Sequence, residues 1–381
     1  VAETLVGGNL TIKQWENEFV QEYLRNNRFA REMGTSMNNI IIANERLTSA
    51  KGDRVVIPFV NTLSGSGVQG NTPLDGNEEE LPTEGFEIPV TPNRNAVATT
   101  EWEEQKSVVD ILAAAKPALR NWIMESLRGG RTASLTGTAA LANPLGIIDN
   151  LHAFYANGTY ALYPNAAETT VKDVWLANNA DRVQFGALVS NNSSNDHSAS
   201  LQNIDNTADK LTVATLDLAK SRAQDAYGPR ITPYRAFDDT EWFMVYAGSR
   251  AFRDLRSDTT ILQANREAWA RYDGGSGKGE NPLFRGGDLM WNGMIIREIP
   301  EIPILTGVGA GGIDVSAVFI CGIGAVGVGW ARRPRLVRKS NDDYEFRDGV
   351  GIMEVRGTRT LYNQGKMNGV YRLYVASVAS S

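Results

Sequence analysis

The sequence holds a single cysteine, Cys321, and only two histidines, His152 and His197, in 381 residues. One cysteine excludes an intrachain disulfide and a cysteine-built zinc site, and two histidines exclude a histidine-rich metal site. No cofactor and no metal are expected. Long apolar runs are also missing. The longest, residues 315–330, carries four glycines and falls short of the roughly 20 residues of a spanning helix, so no membrane partner is expected. An excess of positive charge is missing as well: 38 basic against 44 acidic groups leave a net charge of -6. A chain whose main task was wrapping nucleic acid would lean basic. Residues 1–10 lack the basic-then-apolar order of a secretion signal, and assembly in a reducing cytoplasm is the expectation.

What is present is ordinary globular material, 42% hydrophobic and 22% charged, in a chain long enough for a large core. Residues 11–33 read as an amphipathic helix capped by Thr11, with Ile12, Trp15, Phe19 and Tyr23 at three- and four-residue spacing. Trp15 and Phe19 are candidates for docking on a neighbouring subunit. Two runs of period-two alternation follow, Val55, Ile57, Phe59 and then Phe86, Ile88, Val90, each interrupted by proline. Proline inside such runs marks edge strands. Between them lies a polar stretch, 61–85, too long for a loop within a compact domain. A two-stranded arm with an extended tip accounts for it, and isolated ribbons of this kind are marginal in water. The acidic cluster Asp75, Glu78, Glu79 and Glu80 lacks the alternating spacing of a calcium loop. It reads as a hairpin tip that could meet a basic surface on another subunit, with Phe86 as a further contact.

Residues 103–128 carry the strongest helical stripe, including Ile111, Leu112, Leu119 and Trp122, stopped by Gly129-Gly130. This rod would be roughly 39 Å long, with Pro117 expected to bend or split it. The segment 140–235 reads as loop-rich apart from a helix at 212–227, and His197 as part of a solvated loop. Strands are expected at 242–247, 293–298, 315–321, 336–339, 349–356 and 370–378. An α+β chain with an extended arm is the economical fold.

The run Gly322 to Gly327 matches the dinucleotide pattern GxGxxG, but the following glycines and Pro334 are poor material for the helix that chemistry requires. A glycine-rich buried turn is the reading taken; a nicotinamide-dependent oxidoreductase is the alternative it leaves. No GxSxG elbow and no phosphate loop with a Ser or Thr after lysine is found, so no enzyme is expected. Arg332, Arg333, Arg335, Arg338 and Lys339 put five cations in eight residues. They would serve either subunit-to-subunit ion pairing, with the acidic tip as one partner, or non-specific contact with DNA.

Taken in order, these pieces resemble the tailed-phage major capsid proteins of the Hong-Kong-97-like fold. The closer echoes are Lys51-Gly52-Asp53 entering a strand, Leu74-Asp75-Gly76-Asn77-Glu78-Glu79, Asn281-Pro282-Leu283-Phe284 and Trp291-Asn292-Gly293-Met294. Together they are similar to the branch related to the podovirus N-four capsid protein. The resemblance implies an N-terminal arm (1–50), an E-loop (51–102), a peripheral domain with a spine helix (103–140), a mainly axial domain (141–330), returning peripheral strands (331–365) and a C-terminal strand (366–381). It implies self-assembly as hexamers and pentamers into an icosahedral shell around double-stranded DNA, a virion location, and portal, scaffolding and decoration proteins as partners. The lysine–asparagine crosslink of the Hong Kong relative is not expected, because no lysine lies between Lys51 and Lys106. An encapsulin-like nanocompartment shell is the alternative within the same fold.

Overall fold

The structure, a computed structural model, describes residues 29–49, 51–61, 63, 65, 67–71, 73–106, 111–129, 145–161, 169–235, 240–272, 284–285, 288–342 and 346–379. The chain divides into two compact units.

The first unit comprises Val1–Val55, Ile88–Ala153 and Val326–Arg359. Its frame is a five-stranded sheet in the spatial order Met33–Gly34, Ile41–Asn44, Val326–Asp342, Arg347–Thr360, Thr91–Thr100. The first three run parallel, and the last pair is antiparallel, with Arg347 opposite Thr100 and Met353 opposite Arg94. The helical stripe forms as Glu101–Lys106 and Ile111–Arg128, with 107–110 outside the described residues. The second helix runs through Pro117, which is exposed. It ends at Gly129, whose positive φ of 86° suits glycine and whose missing Cβ leaves room for Asp149. Leu119, Ile123 and Leu127 are buried, while Ile111 and Trp122 are only half-buried.

The second unit comprises Val56–Glu87, Phe154–Ala325 and Thr360–Ser381. A mixed sheet of nine strands centres on Glu241–Ala247, Val315–Cys321 and Val370–Ala376, the last two fully buried along their length. Such continuous apolar runs belong to strands covered on both faces. Helix Val213–Asp225 begins where Thr212 accepts a hydrogen bond from the Thr215 amide, and Gly228-Pro229 follows its end. Its Leu216, Ala219 and Ala223 join Phe243, Val245, Phe252, Ile296 and Leu373 in the core.

Two expectations need correction. The stretch 140–235 is not mainly loop: it includes helices Thr169–Asn178 and His197–Gln202 and strand Val183–Phe185. The Asn/Ser/Asp cluster there is ordered by its own side chains, with Asp196 capping the Ala199 amide and Asp209 accepting from the Ala187 and Asp205 amides. Second, the segment expected as one arm (51–102) divides. Residues 54–89 make the ribbon, whereas Thr91–Thr100 is a strand of the five-stranded sheet.

Candidate inter-subunit surfaces

The ribbon consists of Arg54–Val60 and Thr83–Pro89, which pair with each other and with no third strand among the described residues. The Val90 amide bonds the Asp53 carbonyl at the root (2.9 Å), and the Asn61 amide bonds the Pro82 carbonyl at the far end (3.0 Å). Alternation sorts its side chains onto two faces. Val55, Ile57, Phe86 and Ile88 are buried, while Val56, Pro58, Val60, Gly85 and Glu87 are exposed.

The buried face is taken up by the chain itself. In the first unit, two sheet glycines make room for the root. A Cβ on Gly329 would lie 2.8 Å from Val55 Cγ2, and one on Gly357 would lie 2.0 Å from the Pro89 carbonyl oxygen. In the second unit, Phe86 meets Tyr155 edge-on at 5.6 Å and Tyr362 at 5.9 Å. Asn363 bonds Asn61 (2.6 Å), and Glu84 accepts from the Gln364 amide (2.6 Å). Phe86, expected at a contact between subunits, is therefore an internal anchor. The ribbon, read from the sequence as an isolated arm, is supported on this face by its own chain.

The outer face and the distal segment are different. Val60, Leu63, Leu74 and Leu81 are all more than half exposed (67%, 56%, 63% and 52%). Water-facing leucines concentrated on one projection are unusual in a protein that works alone. Asp75, Glu78, Glu79 and Glu80 are exposed there too. Glu78 accepts from the Gly76 amide and Glu79 from the Gly65 amide, both at 2.8 Å, which shapes the tip. Trp15 and Phe19 lie outside the described residues.

The five clustered cations fall on strand Val326–Asp342 and do not share a face. Arg332 and Arg338 are on the side of the buried Pro334 and Leu336, and Arg338 pairs with Asp348 at 2.6 Å. Arg333, Arg335 and Lys339 are on the opposite side. Arg333 pairs with Glu45, and Arg335 rests on Met353 Sδ at 3.3 Å.

Three buried charges, at two sites, were not legible as such in the sequence. In the first unit Glu354 and Arg356 are fully buried and 3.2 Å apart. Asn93 donates to Glu354 (2.9 Å) and to Ser126 (2.9 Å), Arg356 donates to Ser126 (3.3 Å), and its guanidinium sits over Trp330. Burial lifts the Glu354 carboxyl above the usual carboxylate range, although Arg356 beside it pulls the other way. In the second unit Arg372 is enclosed by Trp175, Phe154 and Phe319 at 4.5–5.7 Å.

His197 lies in this second cluster, 3.2 Å from the Tyr374 hydroxyl and edge-on to Phe154, Phe185 and Tyr374. The expectation of a solvated loop histidine is thus corrected. Burial, with Arg372 and Lys172 adding to it, pushes its pKa down to about 3. A ring held neutral so far below the working range is badly placed for proton transfer at neutral pH. His152 is buried at the end of helix Ile147–His152.

The dinucleotide alternative fails on geometry. After the turn at Gly322–Ala325 the chain enters strand Val326–Asp342, not the helix that this chemistry requires to follow the glycines. Gly322 is needed for close packing: a Cβ there would lie 2.3 Å from the Thr232 carbonyl.

Comparison with known proteins gives the family and the fold. The phage capsid protein family matches residues 3–376. The major capsid protein of Pseudomonas phage KPP25 is 26% identical over 363 residues, covering 91% of this chain and 89% of that protein. Among solved structures, the capsid asymmetric unit of cyanophage Pam1 is 31% identical, with TM-score 0.79 and full coverage of both chains. The capsid of Ralstonia phage GP4 shares the fold at 17% identity, TM-score 0.68 and coverage of 92% and 91%. The chain belongs to the phage capsid protein family, as a major capsid protein of the Hong-Kong-97-like fold: a structural subunit of the phage head, and not an enzyme.

Proposed function

We propose that the chain assembles as hexamers and pentamers into an icosahedral shell around double-stranded DNA, and that the ribbon Arg54–Pro89 is the E-loop that joins one subunit to the next. In this reading helix Ile111–Arg128 is the spine helix of a peripheral domain that also takes in the long strands Val326–Asp342 and Arg347–Thr360. Most of 154–325 is the axial domain that lines each ring. Portal, scaffolding and decoration proteins, and non-specific contacts with DNA, complete the partner set.

The observation that carries the reading is the division of the ribbon into a face used by its own chain and a face that exposes Val56, Pro58 and Val60, continued by the exposed Leu63, Leu74 and Leu81. Burying an extended arm on a neighbour is a heterologous contact, which closes rings when the rotation permits. Obligate contacts of this kind bury on the order of 2,000–5,000 Å². Electron microscopy of the expressed chain, with scaffold supplied, tests this directly. Uniform closed shells are expected; a monodisperse monomer or dimer under every assembly condition contradicts the proposal.

A further inference from the structure

In the second unit the loop 307–312 is mostly glycine, and it is held firmly from behind. Gly307, Gly311 and Gly312 have positive φ (69°, 64° and 80°), the region that favours glycine. The Gly309 amide bonds the Ile313 carbonyl (3.0 Å), and the Ala310 amide bonds the Ile204 carbonyl (2.9 Å). The Gly307 amide bonds Asp314 (3.2 Å), which is itself paired with Arg250 at 2.8 Å. Among the described residues the Val308 and Gly311 amides have no acceptor. A Cβ on Gly311 or Gly312 would meet nothing within 4 Å, so this side of the loop is open.

The loop is one wall of a cleft of about 720 Å³. Lys172 of helix Thr169–Asn178 contributes to the rest, together with His197, Ser198, Leu201 and Gln202 of helix His197–Gln202. Ser198 and Gln202 are exposed. Lys172 is only 7% exposed, so water screens its charge weakly. It has contacts of its own within the fold, and what it brings to the cleft is charge. The neighbouring carboxylate, Asp173, accepts from the His197 amide at 3.0 Å. The His197 ring reports the sign of the local field. Beyond burial itself, Arg372 and Lys172 both lower its pKa.

We propose that this cleft binds a phosphate group, free or carried by a small monoester, through the Val308 and Gly311 amides, the Ser198 hydroxyl and the Gln202 side-chain amide, with Lys172 supplying positive charge. Fixed main-chain amides in a glycine turn are a common means of holding an anion. Donors on a loop and a helix, beside a cation on a second helix, suit four tetrahedral oxygens better than the two of a planar carboxylate. Nucleic acid is the less suitable source of phosphate. The apolar lining is limited to Leu201, Val308 and Ala310, and the His197 ring is already packed among Phe154, Phe185 and Tyr374. The cleft therefore offers no platform on which bases could stack. This site is independent of the ribbon and of its role.

Uptake of radiolabelled inorganic phosphate by dispersed subunits of the full chain, at constant ionic strength in chloride, tests the proposal. One phosphate per chain should bind saturably. Competition by glycerol phosphate would show that monoesters are taken; its failure to compete would restrict the site to the free ion. Lys172→Met and Ser198→Glu should each weaken binding roughly tenfold or more, the usual weight of one charge-assisted contact. Ser198 is exposed, so Ser198→Glu should melt like the unaltered chain in chloride. That variant decides the matter if Lys172→Met fails to fold. Phosphate should raise the melting temperature of the unaltered chain and not that of Ser198→Glu. Lack of saturable binding by the unaltered chain overturns the proposal, as does unchanged affinity in Ser198→Glu. Displacement by a short single-stranded oligonucleotide at lower concentration than by phosphate overturns it too, and would assign the cleft to nucleic acid.

Discussion

Replacing residues 63–81 by a short glycine-containing turn should leave a subunit that folds and melts like the full chain but closes no shells. The parts of the ribbon that support its own chain lie outside this segment. Asn61 is bonded to Asn363, Glu84 to the Gln364 amide, and Phe86 is packed on Tyr155 and Tyr362. The described residues removed carry no buried side chain, so little folding stability is lost with them. What goes is the exposed apolar surface of Leu63, Leu74 and Leu81 and the acidic tip. Each subunit in a closed lattice gives this contact once and receives it once, so the loss repeats at every junction. Sedimentation and microscopy of the truncated chain read the outcome. Stable closed shells at normal yield would mean that the ribbon is not the joining arm.

Arg356→Ala should cost the dispersed subunit about 3–5 kcal/mol, the usual consequence of removing one partner of a fully buried ion pair. Glu354 would be left in the interior with Asn93 as its remaining hydrogen-bond donor, and Trp330 would lose the cation over its ring. Arg356 also reaches Ser126, so the same change loosens the link between the long helix and the sheet. Replacing both charges by apolar residues of similar size, Glu354→Leu with Arg356→Met, should recover most of the loss, since the penalty comes from the stranded charge. Urea unfolding measures both variants. A single substitution costing less than about 1 kcal/mol would show the pair to be more solvated than its burial implies.

Much of the frame was legible in the residues. Gly129 as a stop is local chemistry and falls where helix Ile111–Arg128 ends, and the helix expected at 212–227 forms as Val213–Asp225. The ribbon was legible because period-two alternation and proline leave few other solutions. The less legible features depend on partners distant in sequence. Phe86 reads as an arm residue until Tyr362 is placed beside it, and His197 reads as loop until Phe154, Phe185 and Tyr374 close around it. Five cations in eight residues look like one patch. Alternation assigns them to two faces, and only register with Thr91–Thr100 shows that Arg94 belongs with Arg335. Glu354 and Arg356, two apart on one strand, carry no sequence mark of burial. Their fate is decided by Ser126 and Trp330.

Hydrogen–deuterium exchange across residues 56–87, compared between dispersed subunits and closed shells, is the most direct measurement of the central claim. In dispersed subunits the amides of 67–81 should exchange freely, because their described contacts are few and local. On closure they should slow markedly, while amides of the buried strand Val370–Ala376, already protected, change little. Equal exchange of the distal ribbon in both states would mean that no neighbour covers it.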